Sequence, residues 1–242
     1  MKYLFITLLL FLTPPAFSDN YPSDDTRCDG FPQAKVGTKE GMCVGIVAQE
    51  SDQITWKKPR QIVQVPNTKQ FIITDMGGWT RGRGKVWLLD TAVTPVKVVA
   101  LLENLKLPHG LAIGPKGLFY VGETDRIFRF RLEDKKAVNI ETVVNRLPDF
   151  RKHSHPLTHF IFDQSNNLIV NVGAPSDQCQ EDKREVFCSS VNNSLNTHAA
   201  IRLYPYIAEA NLWGIEFEVL ASGLRNSMAL ASHETGSLLQ AE

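Results

Sequence analysis

A repeat with a period of 49 residues constrains the fold of this chain more than any other feature. Two segments, Pro59–Pro66 and Pro108–Pro115, carry proline at their first and eighth positions and lie 49 residues apart. A third copy starts at Leu157 with the same offset, and a fourth opens at Arg225. A repeat of this length indicates a unit that stacks against copies of itself.

Each unit contains four short apolar runs separated by turns, which predicts four β-strands per unit. Units of this kind, recurring every ~40 to 50 residues, are typical of an all-β β-propeller, and an ordinary all-β sandwich is the alternative. No long stretch has a helical period. The predicted strands are 59–66, 71–75, 85–90 and 96–102, then 108–115, 118–123, 126–132 and 139–144, then 159–162, 168–172, 199–203 and 216–220.

The chain is expected to divide into a signal peptide at 1–18, an N-terminal segment at 19–55 and a partial propeller at 56–242, with an insertion at 174–198. The propeller part holds three units and the first hairpin of a fourth, about three and a half blades. Because a propeller is stabilised by closing its ring, the chain is expected to be a fragment.

The first residues have the order of a secretory signal. Lys2 precedes an apolar run at 3–12, and Ala16 and Ser18 stand before a predicted cut ahead of Asp19. A membrane anchor is the alternative, but the run is much shorter than the roughly 20 residues that a bilayer requires. We therefore expect a periplasmic or secreted protein with no membrane span after signal removal.

Four cysteines fall in the predicted mature part, where export permits disulfides. Cys28 and Cys43 lie in the N-terminal segment, and Cys179 and Cys188 lie in the insertion. Pairing each cysteine with its neighbour is the simplest of three connectivities, which the sequence alone leaves open. Zinc binding is the competing interpretation, although neither pair has the spacing of a zinc motif.

The charge is balanced. The whole chain has 26 basic and 26 acidic residues, and removing 1–18 takes away one lysine. A chain this neutral lacks the basic surface that nucleic acid binding needs, so no nucleic acid partner is expected.

Polar residues stand at the start of the first strand of each unit or just ahead of it. They are Arg60 and Gln61, then His109, then His155 to His159, then Arg225 and Asn226. In a propeller these positions surround one end of the central channel, so the sequence predicts a binding site for an oxygen-rich ligand there. The third unit carries a histidine cluster, His153, His155 and His159, and histidine can serve as a base near neutral pH.

Two blocks, PLTHFIFDQSNNLIVNVGAPSDQC and GLRNSMALASHETGSLLQAE, resemble the glucose/sorbosone dehydrogenases, and the sorbosone dehydrogenase-like branch most closely. The resemblance covers Trp56 to Glu242. It implies a six-bladed propeller that oxidises a sugar or sugar aldehyde with pyrroloquinoline quinone and passes the electrons to an external acceptor.

The resemblance also implies roles for individual residues. His155 corresponds to the general base, and Arg225 and Asn226 correspond to a pair that contacts the quinone. His109 and His159 are weaker candidates for substrate contact. His109 stands near a position where glucose-oxidising members have glutamine, so their substrate preference does not carry over.

No metal-binding residue is predicted in this chain. In the resembling family, calcium holds the quinone through segments that would follow residue 242, so little activity is expected of this chain alone. Two other functions remain open: a calcium-dependent lactonase-type hydrolase, and a non-enzymatic propeller that binds sugars or proteins. The lactonase would need acidic and amide side chains converging on a metal, whereas this channel end offers histidine, arginine and asparagine.

Overall fold

The computed structural model describes residues 23–51, 53–149, 155, 157, 159–175 and 198–242. The chain divides into two compact units, with the boundary between Thr55 and Trp56. The predicted signal peptide, His153 and the cysteines at 179 and 188 lie outside the described residues.

The first unit contains a hairpin that the sequence analysis did not predict. Strand β1, Ser23–Cys28, pairs with β2, Phe31–Ala34, in antiparallel register. Asp29 and Gly30 connect them, both with positive φ, as a two-residue hairpin turn requires. Cys28 is bonded to Cys43, which confirms the predicted pairing of these two neighbours.

The second unit is built from antiparallel sheets, each with its strands in chain order. We call the three four-stranded sheets blades 1 to 3 and the two-stranded sheet that follows them blade 4. Blade 1 is β3 (Pro59–Gln64), β4 (Gln70–Asp75), β5 (Gly84–Asp90) and β6 (Lys97–Leu105). Blade 2 is β7 (Leu111–Ile113), β8 (Phe119–Gly122), β9 (Ile127–Glu133) and β10 (Lys136–Val144).

Among the described residues, helical structure is limited to one short 3-10 turn in blade 2, Pro115–Gly117. Blade 3 has a small hairpin between its third and fourth strands. Blade 3 is β11 (Phe160–Phe162), β12 (Leu168–Val172), β13 (Ala200–Tyr204) and β16 (Glu218–Ser222), with β14 (Tyr206–Ile207) and β15 (Leu212–Trp213) as the hairpin. Blade 4 is β17 (Ala229–Ser232) and β18 (Leu238–Ala241).

The hydrophobic core lies between the blades. Strand β8 shows why, because side chains alternate between the two faces of a strand. Phe119 and Val121 pack with residues of blade 1, and Tyr120 between them packs with residues of blade 3. A strand buried on both faces reads as a continuous apolar run, which is the pattern that predicted these strands.

The first strands of the blades are neighbours around one axis. Strand β3 contacts β7, β7 contacts β11, and β11 contacts β17. The structure therefore confirms the predicted all-β propeller architecture, with three four-stranded blades and one further hairpin among the described residues. The predicted strands differ from the observed ones by up to three residues at an end, most at the fourth strands of blades 1 to 3 and at the first strand of blade 2.

Candidate functional site

The residues ahead of the first strands lie at one end of the blades. In each antiparallel hairpin, the start of the first strand meets the end of the second. His109 donates its backbone N–H to Gly122 at the end of β8, at 2.9 Å. His155 donates in the same way to Ala174, just beyond β12, at 3.0 Å.

The strand registers show which residues of the four blades are equivalent. Ile62 pairs with Ile73, Leu111 with Val121, Phe160 with Val170 and Leu230 with Gln240. Counting back five residues from the first member of each pair gives one position per blade. We call this set the entry ring: Lys57, Lys106, His155 and Arg225.

Buried carboxylates hold the backbone at or next to this position in blades 1 and 2, and an exposed one does so in blade 4. Asp75 accepts the backbone N–H of Lys57 and of Lys58, the latter at 2.8 Å. Glu123 accepts the N–H of Lys106, and Glu242 accepts the N–H of Asn226 at 2.9 Å. Asp75 and Glu123 thus satisfy backbone amides where the chain enters their blades.

Blade 3 departs from this arrangement. Its residue equivalent to Asp75 and Glu123 is Val172, and the N–H of His155 goes to a main-chain carbonyl instead. Blade 3 therefore has histidine at the entry ring position where blades 1 and 2 have lysine. It has no acidic residue at the position equivalent to Asp75 and Glu123.

His155 and Arg225 lie on either side of a single residue, Ala174. The carbonyl of Ala174 accepts the N–H of His155, and its N–H donates to the carbonyl of Arg225 at 2.8 Å. The preceding residue, Gly173, has no space for a side chain, because a Cβ there would collide with His155. The structure thus brings the two predicted site residues together at the junction of blades 3 and 4.

Asn226 is buried and tied to blade 3. The side-chain amide of Asn171, in β12, donates to Asn226 Oδ1 at 3.2 Å and to the carbonyl of Ser227 at 2.6 Å. Arg225, the residue before, is exposed. The pair therefore has one member fixed in the interior and one at the surface.

His109 lies three residues beyond the entry ring position, level with Arg60 of blade 1. Thr74 donates its hydroxyl to the carbonyl of His109 at 2.9 Å. Its backbone is thus held by blade 1 as well as by its own blade.

His159 connects three blades. Gln61 of blade 1 accepts the N–H of Leu111 through Oε1, which fixes the orientation of its amide, and its Nε2 contacts His159 Nδ1. An amide nitrogen can only donate, so Nδ1 is the acceptor and the ring proton sits on Nε2. His159 also hydrogen-bonds to the backbone of Leu230 in blade 4.

Burial lowers the pKa of His159 below its ordinary value, while the hydrogen bond to Leu230 acts in the opposite direction. Gly110 is the residue of blade 2 equivalent to Gln61 and His159, and a Cβ there would collide with Phe160. The absence of a side chain at Gly110 leaves room for the ring of Phe160, the residue after His159.

The sequence analysis missed Lys57 and Lys106. Lys57 precedes Lys106 by 49 residues, and Lys106 precedes His155 by 49 residues. The repeat period therefore already identified these two positions. Lys106 is paired with Asp125 at 2.8 Å, and its side chain is about half exposed.

Within the described part of the chain, no group of three or more histidine, cysteine, aspartate or glutamate side chains could hold a metal ion. Nor does any described helix have the length and apolar character to cross a membrane.

Solved structures share this fold. A gluconolactonase from Xanthomonas campestris matches with a TM-score of 0.54 at 12% identity, over 87% of this chain and 62% of its own. A protein from Thermus thermophilus, named as an oxidoreductase (glucose dehydrogenase), matches with a TM-score of 0.54 at 17% identity, over 76% of this chain and 58% of its own. The chain thus spans about three-fifths of the length of these structures, and identities this low show the fold alone.

No curated protein sequence matches the chain. The sequence profile of the TrAA12-like family matches residues 40–242, which is most of the chain. On that match, the chain belongs to the TrAA12-like family.

Proposed function

We propose that the protein takes part in the oxidation of a sugar or sugar aldehyde, with pyrroloquinoline quinone as cofactor, in the periplasm or outside the cell. This is the glucose/sorbosone dehydrogenase type of reaction, and the sorbosone dehydrogenase-like branch is the finer assignment. The observation that carries the proposal is the junction at Ala174, which holds His155 and Arg225 side by side.

His155 is the proposed base. Oxidation of a hydroxyl to a carbonyl removes a proton from oxygen and a hydride from carbon. His155 takes the proton, a role that suits an imidazole at neutral pH, and the bound quinone supplies the acceptor for the hydride. The backbone hydrogen bond to Ala174 and the close approach of Gly173 fix the position of the His155 backbone at the start of blade 3.

The residues present fit the anionic groups of the quinone. Arg225 offers a planar guanidinium at the surface, and a guanidinium pairs well with a carboxylate. Lys57 and Lys106 occupy the equivalent positions in blades 1 and 2, so the entry ring carries further cationic side chains, of which Lys106 is paired with Asp125. His109 and His159 remain weaker candidates for substrate contact.

The described residues do not fit calcium. Of the carboxylates at this end, Asp75, Glu123 and Glu242 accept backbone N–H groups, and Asp125 and Asp149 are each held in an ion pair. Calcium needs six to eight oxygen ligands. The proposal therefore places the calcium ligands outside the described residues.

Two assays on the protein at its full natural length distinguish dehydrogenase from hydrolase. With quinone, calcium and a sugar or aldehyde, an electron-accepting dye should be reduced. With a sugar lactone and calcium but no quinone, no acid should be released. Lactone hydrolysis without dye reduction would establish the hydrolase in its place, and sugar binding without either reaction would establish the non-enzymatic propeller.

A further inference from the structure

An exposed tryptophan stands on an anchored loop at the same end of blade 1. The loop runs from residue 76 to 83 between β4 and β5, and Trp79 is 69% exposed. The loop is held at both ends, because Met76 donates its N–H to Lys58 and Gly82 donates to Leu105, at 3.1 and 3.0 Å. A large apolar ring left uncovered on a fixed loop is a feature of ligand-binding surfaces.

Two cations lie over this ring. Lys58 Nζ lies 5.2 Å and Arg60 Cζ lies 5.8 Å from its centroid. The Nε of Arg60 donates to Met76 Sδ at 2.7 Å, which orients the guanidinium. No acidic side chain of the described ranges pairs with either cation. An aromatic face with two cations and no local anion suits a ligand that combines a ring with a negative charge.

The loop is also tied to the segment that leads into blade 3. Arg81 makes a two-pronged ion pair with Asp149, which precedes His155 in the chain by six residues. Arg60 is the blade 1 equivalent of His109, so these cations belong to the same end as the entry ring. Lys58, which lies over Trp79, also follows Lys57 of the entry ring directly in the chain.

We propose that Trp79, Lys58 and Arg60 form a subsite for a carboxylate-bearing pyranose, a uronate unit of the substrate. This rests on the proposed function, since it names the class of sugar that the same end of the propeller accepts. The exposed part of the indole packs against the apolar face of the sugar ring, and Arg60 pairs with the carboxylate.

The test is a binding titration without quinone. Glucuronate and glucose are added separately to the full chain, and affinity is measured by calorimetry. Glucuronate should bind the wild type at least about tenfold more tightly than glucose, since tenfold corresponds to about 1.4 kcal/mol, the low end for a charge-assisted contact. Arg60→Gln should reduce glucuronate affinity to nearly that of glucose and leave glucose affinity unchanged.

Trp79→Ala should weaken both sugars about tenfold, and Trp79→Phe should weaken them less because a ring remains. Both variants should have the melting temperature of the wild type, since the side chain is mostly exposed. Lys116→Gln removes an exposed cation from the turn between β7 and β8, at the opposite end of blade 2, and should change neither affinity.

Equal affinities of the wild type for the two sugars, or unchanged binding by Trp79→Phe and Trp79→Ala, would overturn the subsite. Because no quinone is present, this result is independent of the oxidation assay. A protein that reduces dye but does not prefer glucuronate would retain the proposed function and lose the subsite.

Discussion

His159 is the residue whose position depends most on other blades. Its Nδ1 accepts from Gln61, and it also hydrogen-bonds to the Leu230 backbone. Protonation would place a donor on Nδ1 facing the Gln61 amide nitrogen, which can only donate. The folded arrangement of blades 1, 3 and 4 therefore favours the neutral form of His159.

This arrangement predicts a pH dependence of stability. The pKa of His159 is lowered by burial in the folded state, whereas an unfolded histidine titrates near pH ~6.5. Below that pH the unfolded chain binds more protons than the folded one, so the free energy of unfolding should fall as the pH is lowered from about 7.5 to 5. Urea unfolding at several pH values measures this.

His159→Asn isolates the effect, because asparagine keeps an acceptor for Gln61 but does not titrate. The variant should show a shallower fall in stability with acidification. His198, whose pKa is also lowered by burial, contributes to the dependence that remains. Parallel curves for variant and wild type would show that His159 does not carry the effect.

At the scale of elements, strand β12 and the segment entering β17 are joined by a buried amide. Asn171 donates to Asn226 and Ser227 across the junction of blades 3 and 4. Asn171→Asp replaces that donor by a carboxylate facing two oxygen acceptors, and we expect it to cost about 1–3 kcal/mol of stability. Calorimetric melting should show a clear drop.

The control is Asn67→Asp, at an exposed turn with positive φ that aspartate also tolerates. It should change stability by less than about 0.5 kcal/mol. If both variants melt alike, the amide bridge does not hold blade 4 against blade 3.

The inner strands could be predicted from the sequence because they are buried on both faces. Strand β12 was predicted at its observed bounds, Leu168–Val172, and all five of its residues are buried. The outer strand β16 begins two residues later than predicted, since it is mostly exposed and has no apolar pattern to fix its start. The hairpin β14–β15 was missed because each strand has only two residues.

The site was predictable only in part. The positions of His155 and Arg225 followed from the repeat and the family resemblance. The contact between Gln61 and His159 did not, because it joins residues 98 positions apart in blades 1 and 3. A repeat identifies equivalent positions, whereas contacts across blades depend on how the blades pack.

At the scale of the molecule, the blades are held by cores between them and by polar contacts at one end. The core between blades 2 and 3 includes Tyr120, Phe160 and Trp213, and the core between blades 3 and 4 is smaller. The hydrogen bonds of Ala174 and Asn171 therefore help to fix the position of blade 4 against blade 3. That alignment places the proposed base beside the proposed anion-binding arginine.

The central claim is that His155 is the base at a quinone site shared with Arg225. The most direct measurement compares quinone-dependent dye reduction by the wild type and His155→Gln, at full natural length, with quinone affinity determined for both. The account predicts that the variant binds quinone as the wild type does and loses about 10²–10⁴-fold in kcat. A variant with unchanged kcat would contradict it.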